Sequence, residues 1–170
     1  FPFPFPAALF PSALLPSAGT GSRLGAGCKA WLMLGGEPVL GLLLGRLSRL
    51  ADLGLQEMLV ALPATDVSRG EALAARLRLP IPVRWLAGGP TRQDTVRRLV
   101  EAARGDSVLL HDTARPLASE ALFRATIAGA RSPTNGARAA IAALPLEVPL
   151  GLVNEARVLS HVEAGRAAEF

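Results

Sequence analysis

Five short apolar runs, separated by segments of helical periodicity, constrain this chain more than any other feature. Ala13-Leu14-Leu15, Met58-Leu59-Val60-Ala61-Leu62, Val83-Arg84-Trp85-Leu86, Ser107-Val108-Leu109-Leu110 and Ala139-Ala140-Ile141-Ala142-Ala143 read as strands one to five. Pro38 to Leu50 carries Val39, Leu42, Leu43, Leu47 and Leu50 on one helical face, with Pro38 near its first turn. Ser68, with Glu71 three residues on, predicts a capped helix running to Leu77. A helix over Thr91 to Ala103 turns Val96, Leu99 and Val100 inward. Ser119 is predicted to cap a last helix to about Ala130, with Leu122, Phe123 and Ile127 as its buried face. Strands alternating with helices predict an α/β fold: a mostly parallel sheet, right-handed crossovers and helices on both faces. Ligands of such sheets bind beyond the carboxyl ends of the strands. The chemistry is therefore sought after strands one, three and four, in Gly19 to Lys29, Gly88 to Thr95 and His111 to Pro116.

Composition removes several function classes. A chain of 170 residues, half of them apolar and 19% charged, is expected to form one globular domain over residues 1–170. A single cysteine excludes a disulfide framework, and with two histidines it leaves no metal-ligand spacing. No stretch of about 18 apolar residues is present to span a membrane. The net charge of +4 comes from 17 arginines and one lysine, and the arginines occur singly or in pairs. Without a cluster to track a nucleic-acid backbone, an enzyme of small anions is the better reading and no nucleic-acid partner is expected. The single lysine, Lys29, stands out in an arginine-rich chain as a place that needs a compact point charge. Residues 1–10 open on the repeat Phe1-Pro2-Phe3-Pro4-Phe5-Pro6, a low-complexity leader without the basic region of a signal peptide. With no initiator methionine, the chain is expected to be a fragment or a processed product.

The segment after strand one is the richest in glycine. In Gly19-Thr20-Gly21-Ser22-Arg23-Leu24-Gly25 the glycines let the backbone approach a phosphate, and successive N–H groups form an anion nest. The spacing misses the dinucleotide fingerprint by one residue and lacks the Gly-Lys-Ser/Thr ending of a P-loop. Arg23 and Lys29 follow six residues apart, and Gly36-Glu37-Pro38 opens the next helix. Ala18-Gly19-x-Gly21-x-Arg23-x-Gly25, then Lys29, then Gly36-x-Pro38 resembles the signature loop of nucleotidyltransferases that make sugar and polyol nucleotides. Two further motifs narrow the resemblance. Gly88-Gly89-Pro90-Thr91-Arg92-Gln93-Asp94-Thr95-Val96 and His111-Asp112-Thr113-Ala114-Arg115-Pro116 resemble two segments of the 2-C-methyl-D-erythritol 4-phosphate cytidylyltransferase family. The likeness covers about Ala13 to Ala143.

The resemblance implies a three-layer, Rossmann-like nucleotidyltransferase fold with a mostly parallel sheet. It implies transfer of CMP from CTP to methylerythritol phosphate, with release of pyrophosphate, in non-mevalonate isoprenoid synthesis. Arg23 and Lys29 match the family's catalytic cations. Ala18, Gly19, Thr20, Gly21, Ser22, Gly89, Thr95 and Thr113 match nucleotide-binding positions, with Gly89 and Thr95 at those that read the cytosine. Asp112 and Arg115 match substrate positions, and Asp112 is the implied ligand of Mg2+. Taken alone, Asp112 reads equally as a turn residue and Arg115 as a brace paired with a carboxylate. The family further implies a cytoplasmic enzyme, or a plastid one in a plant-type source, and a homodimer. The dimer would form through an arm region within residues 144–170, where Arg157 or Arg166 would serve.

The departures are specific. Cys28 stands for the proline before the lysine, Thr95 for a serine, and Val148-Pro149 for an Asp-Thr pair that holds the second substrate. The family's Thr-Pro-Gln segment and final strand are absent, so the chain is expected to lack the C-terminal part. Two alternatives stay open on these residues: a related sugar-phosphate nucleotidyltransferase, and a degenerate, non-catalytic nucleotide-binding protein.

Overall fold

A computed structural model of the chain describes residues 10–19, 27–131, 139–142, 150–154 and 157–162. It divides into two compact units, Phe1–Arg124 and Ala125–Phe170.

The first unit is built on a four-stranded parallel sheet. Its strands are β1 (Pro11–Pro16), β4 (Glu57–Leu62), β5 (Val83–Ala87) and β6 (Ser107–Leu110), in the spatial order β5-β4-β1-β6. A small hairpin, β2 (Met33–Leu34) with β3 (Glu37–Pro38), lies between β1 and β4 in sequence. Its turn is Gly35-Gly36, with φ of 60° and 85° at the two positions, the left-handed pair that a two-residue hairpin turn requires. The helices are α1 (Val39–Leu47), α2 (Val67–Leu77), α3 (Arg92–Ala102) and α4 (Glu120–Arg131).

Register shows why β1 and β4 hold the centre. β1 pairs Ala13 with Met58 and Leu14 with Leu59 on one side, and Ser12 with Val108 and Ala13 with Leu109 on the other. All six residues of β4 are buried, as expected for a parallel strand covered on both faces. The two prolines of β1 sit at its ends, where a missing N–H costs least. Leu14, Leu59 and Ala61 pack with Leu99 of α3 on one face. Strand alternation sends Ala13, Leu15, Met58 and Val60 to the opposite face, and these are fully buried too. Both faces are covered, and the architecture is the α/β, mostly parallel one expected.

Several expectations are corrected in detail. Residues 139–142 form no strand, and Ile141 is exposed there; alanine is a poor strand former, and Ala143 lies outside the described residues. The second unit instead carries an antiparallel pair, β7 (Leu150–Asn154) with β8 (Arg157–Val162). The helix after Pro38 ends at Leu47 and continues as a 3₁₀ segment, Ser48–Leu53. Val100 and Leu122, expected to face inward, are exposed, while Leu99, Phe123 and Ile127 are buried. Ser68 does not cap α2, which begins at Val67 with Asp66 at the N-cap position and no side-chain cap bond. Thr91 and Ser119 do cap: their hydroxyls accept from the N–H groups of Asp94 and Leu122.

Arg78 ends α2 in the left-handed region, φ 48° and ψ 50°, where a Cβ is strained and glycine is not. Arg78→Gly is expected to raise stability by about 0.5–1 kcal/mol, read as a higher urea midpoint with an unchanged m-value. No helix among the described residues is long and apolar enough to cross a membrane.

Candidate active site

In a parallel sheet all carboxyl ends share one edge. Here the chain runs from β1 to β4 and β5 on one side, then places β6 on the other side of β1. The crevice of such a fold lies where the order reverses, outside the ends of β1 and β6.

Ser17, the first residue after β1, is the hub of that edge. Its N–H donates to the Ala61 carbonyl at 2.8 Å, tying it to β4. Its hydroxyl is hydrogen-bonded to the Thr113 hydroxyl in the loop after β6, and both residues are buried. Its carbonyl accepts from the Cys28 thiol at 3.1 Å. Burial pushes the Cys28 thiol up from its ordinary value, which keeps the proton that this bond uses.

The loop after β5 crosses over β4 to reach β1. Gly88 donates its N–H to the Leu62 carbonyl at 2.9 Å, and a Cβ on Gly88 would lie 2.1 Å from the Ala18 Cβ. Only glycine lets these backbones approach so closely. Gly88→Ala is expected to destabilise the protein by about 1–3 kcal/mol through this overlap, measured by urea denaturation. The Thr95 hydroxyl accepts from Gly89 N–H at 3.0 Å and donates to the Thr91 carbonyl at 2.9 Å. Its one proton is thus used inside the loop, and it has a lone pair left to offer a ligand. Arg98 adds a bond to the Gly88 carbonyl at 3.0 Å.

The loop after β6 is held by its own histidine. His111 Nε2 lies 3.0 Å from the Arg115 carbonyl; a carbonyl only accepts, so Nε2 carries the proton. The ring packs edge-on against Phe123, centroids 4.9 Å apart. His111 shapes this turn, and Arg115 N–H closes it on the Asp112 carbonyl at 3.0 Å. Asp112 is paired with Arg92 of α3, Nη2 to Oδ1 at 2.6 Å. Arg115 is exposed and makes no ion pair among the described residues, so the reading of it as a carboxylate-bound brace is not what these residues show.

Lys29 opens a 3₁₀ turn, Lys29–Trp31. Among the described residues its ammonium makes no hydrogen bond or ion pair. Ala18 is half-buried and Gly19 exposed at the mouth of the same edge. Thr20, Gly21, Ser22 and Arg23 lie outside the described residues.

The three loops therefore meet: Ser17 with Thr113, Ala18 with Gly88, and Arg92 with Asp112. Sequence reasoning gave no role to Ser17, Arg92 or Arg98. Arg92 lay inside a quoted motif, whereas nothing in the local sequence marks Ser17 or Arg98. Chemically the edge offers glycine-lined backbone, a lysine with no partner among the described residues, an exposed arginine and one carboxylate already facing a cation. That set suits a phosphate-rich ligand.

A model of the IspD family, 2-C-methyl-D-erythritol 4-phosphate cytidylyltransferase, matches residues 12–166. The chain belongs to this family. It is 45% identical over 135 residues to a bifunctional enzyme IspD/IspF of Anaeromyxobacter dehalogenans, covering 78% of the chain and 32% of that relative. It is 42% identical over 106 residues to the 2-C-methyl-D-erythritol 4-phosphate cytidylyltransferase of Deinococcus radiodurans, covering 62% of the chain and 40% of the relative. The chain thus spans about a third to two-fifths of the length of these curated relatives. Among solved structures, the 2-C-methyl-D-erythritol 4-phosphate cytidylyltransferase of Thermus thermophilus is similar at TM-score 0.55 and 33% identity, covering 89% of this chain and 64% of that one. The 4-diphosphocytidyl-2C-methyl-D-erythritol synthase of Anaerococcus prevotii matches at TM-score 0.63 and 28% identity, over 74% of this chain and 52% of that one. The central sheet and its helices are those of the Rossmann-like nucleotidyltransferase fold.

Proposed function

We propose that this chain transfers CMP from CTP to 2-C-methyl-D-erythritol 4-phosphate, giving 4-diphosphocytidyl-2-C-methyl-D-erythritol and pyrophosphate. The observation that carries this is the meeting of the three loops at one sheet edge, through Ser17–Thr113, Ala18–Gly88 and Arg92–Asp112, in a member of this family.

In the reaction an oxygen of the acceptor phosphate attacks the α-phosphorus of CTP. The bond from that phosphorus to the bridging oxygen breaks, and pyrophosphate leaves with the electron pair. Two anions must approach each other, so catalysis is positioning and charge neutralisation with little need for a general base. Lys29 and Arg23 are the cations for the α-phosphoryl and the leaving group. Backbone N–H groups from Ala18 to Ser22 cradle the triphosphate. Gly89, Thr95 and Thr113 serve the nucleoside, and Asp112 and Arg115 the acceptor side.

The residues fit a magnesium ion. No group of three metal-ligating side chains exists among the described residues, and Mg2+ is commonly held by one or two carboxylates with substrate phosphates and water. Asp112 would hold it, and its pair with Arg92 engages Oδ1. When bound, the ion would neutralise charge on the phosphates.

The β7–β8 hairpin is proposed as part of a dimerisation arm, since an isolated two-stranded hairpin is marginal in water and needs cover. Arg157 begins β8, opposite Asn154, and Arg166 lies outside the described residues.

Pyrophosphate release is the test, measured on this chain with CTP, UTP, ATP or GTP and methylerythritol phosphate. Release with CTP alone is expected. Equal release with a purine nucleotide would overturn the substrate assignment, and no release with any nucleotide would overturn the activity.

A further inference from the structure

Lys29 is the residue on which the proposed chemistry turns, yet it sits on a single 3₁₀ turn of three residues. Such turns have poor hydrogen-bond geometry and little rigidity of their own. Something outside the turn has to fix the direction of the ammonium. Two anchors lie at its ends. Cys28 donates its thiol to the Ser17 carbonyl at 3.1 Å, and the Leu32 carbonyl accepts from Val39 N–H at 2.8 Å.

The third anchor is built differently. Trp31 Nε1 donates to Asp66 Oδ2 at 2.8 Å. The guanidinium of Arg69 lies over the same indole, 4.2 Å from the ring centroid, in range for a cation–π contact. Asp66 stands at the N-cap position of α2, where an aspartate ordinarily accepts from the N–H of N2 or N3. Here it makes no such bond. Asp66 closes the 3₁₀ turn Ala64–Asp66 with helical φ and ψ of −103° and −4°, unlike an ordinary N-cap, and its carboxylate bonds Trp31 Nε1 instead of an α2 amide. Arg69, in the first turn of α2, covers the ring from the same helix.

We propose that Asp66, Arg69 and Trp31 form a positioning clamp that uses the start of α2 to hold the Lys29 turn in its productive orientation. The proposal rests on the functional reading of Lys29 given above. None of the three residues touches the reacting atoms; they act through the backbone of Lys29–Trp31.

The experiment compares Asp66→Ala, Asp66→Asn and Trp31→Phe with the unaltered protein in steady-state pyrophosphate release. Hydrogen exchange at the Trp31 and Leu32 amides, which close the turn on the Cys28 and Lys29 carbonyls, is followed in parallel. Misplacing a reacting group by about 1 Å can lower a rate up to about 10²-fold. Asp66→Ala and Trp31→Phe are therefore expected to lower kcat about 10-fold or more, with KM for CTP within about twofold and faster exchange at both amides. Asp66→Asn keeps a carbonyl acceptor for the indole and is expected to restore most of kcat and the slow exchange. Arg124→Ala, which removes an exposed pair with Asp52 and Glu120, is the control and should leave kcat unchanged.

The clamp is overturned if Asp66→Ala and Trp31→Phe keep normal kcat, or if Arg124→Ala lowers it equally. It is also overturned if Asp66→Asn behaves as Asp66→Ala does. Absence of pyrophosphate release from the unaltered protein would instead overturn the functional reading of Lys29. The exchange measurement would then decide alone whether the turn is held by this clamp. Trp31→Phe keeps an aromatic side chain at the position while removing the indole N–H, so the test survives if Asp66→Ala does not fold.

Discussion

Lys29→Ala is expected to lower kcat for pyrophosphate release by about 10²–10³-fold while leaving CTP affinity nearly unchanged. A cation aimed at charge that develops on the phosphoryl group and leaving pyrophosphate stabilises the transition state more than the bound substrate. Its loss therefore appears in kcat rather than in KM. Lys29 has no partner among the described residues, so removing it breaks no interaction seen in the fold, and folding stability should change by no more than about 0.5 kcal/mol. Lys29→Arg is expected to rescue poorly, because a planar guanidinium cannot take the place of a compact ammonium beside a glycine-rich loop. Steady-state kinetics on the three proteins, with CTP binding followed by calorimetry, checks this. Near-normal kcat for Lys29→Ala would refute the role.

Glu57→Ala is expected to destabilise the protein by about 1–3 kcal/mol. Glu57 begins β4 at the edge of the sheet opposite the candidate site, and it is buried. Oε1 accepts from the Ser12 hydroxyl and from Arg104 N–H, both at 2.7 Å, and Oε2 from Arg84 Nη1 at 3.0 Å. Ser12 Oγ in turn accepts from Gly105 N–H at 2.9 Å. One carboxylate thus ties the amino ends of β1, β4 and β5 to the turn before β6. Its removal leaves the Ser12 hydroxyl and the Arg104 amide without their acceptor, while Arg84 Nη1 keeps only the Ala102 carbonyl, at 2.8 Å.

The pH dependence of the unaltered protein follows with a definite sign. Burial would push the Glu57 carboxyl up, but the hydrogen bonds from Arg104, Ser12 and Arg84 outweigh it and hold the folded-state value below the ordinary 4.5. A depressed carboxylate contributes stability that is fully present above its unfolded value and is lost as pH falls through the folded one. Glu57→Gln removes that contribution. The gap in urea midpoint between unaltered protein and Glu57→Gln should be wide at neutral pH and should narrow once pH drops below about 4.5. A gap that stays constant down to about pH 3 would contradict the assignment.

Much of the fold was legible because it rests on local patterning. The runs at Ala13, Met58, Val83 and Ser107 are apolar stretches of strand length between helical periods, and each became a strand of the parallel sheet. Ala139 to Ala143 was the exception: it is apolar in composition, but four of its residues are alanine, which has little preference for a strand. The cap assigned to Ser68 failed for a different reason. The spacing of Ser68 and Glu71 was right for a capping box, but α2 begins two residues earlier than that cap requires, and the carboxylate of Asp66 before it answers to Trp31, 35 positions away in sequence. Val100 and Leu122 each stand one residue, about 100° round the helix, from a buried neighbour, Leu99 and Phe123, and fall on the exposed side.

The sequence by itself determined the order of strands and helices, the loops that end at one edge of a parallel sheet, and the residue types those loops carry. The glycine-rich loop and the single lysine, Lys29, are legible from residue type, whereas Asp112 and Arg115 are singled out only through the family resemblance. Only the tertiary structure decided how the loops are joined. Ser17 bonded to Thr113, Gly88 seated on Ala18 and Asp66 holding Trp31 are contacts between positions 35 to 96 residues apart, and Arg92 paired with Asp112 joins the start of α3 to the loop after β6 over a shorter stretch of chain. A one-dimensional pattern records what each residue can bond. Which partner it meets is set by the crossing of β5's loop over β4 and by the placement of β6 beside β1, and those depend on how the whole sheet packs.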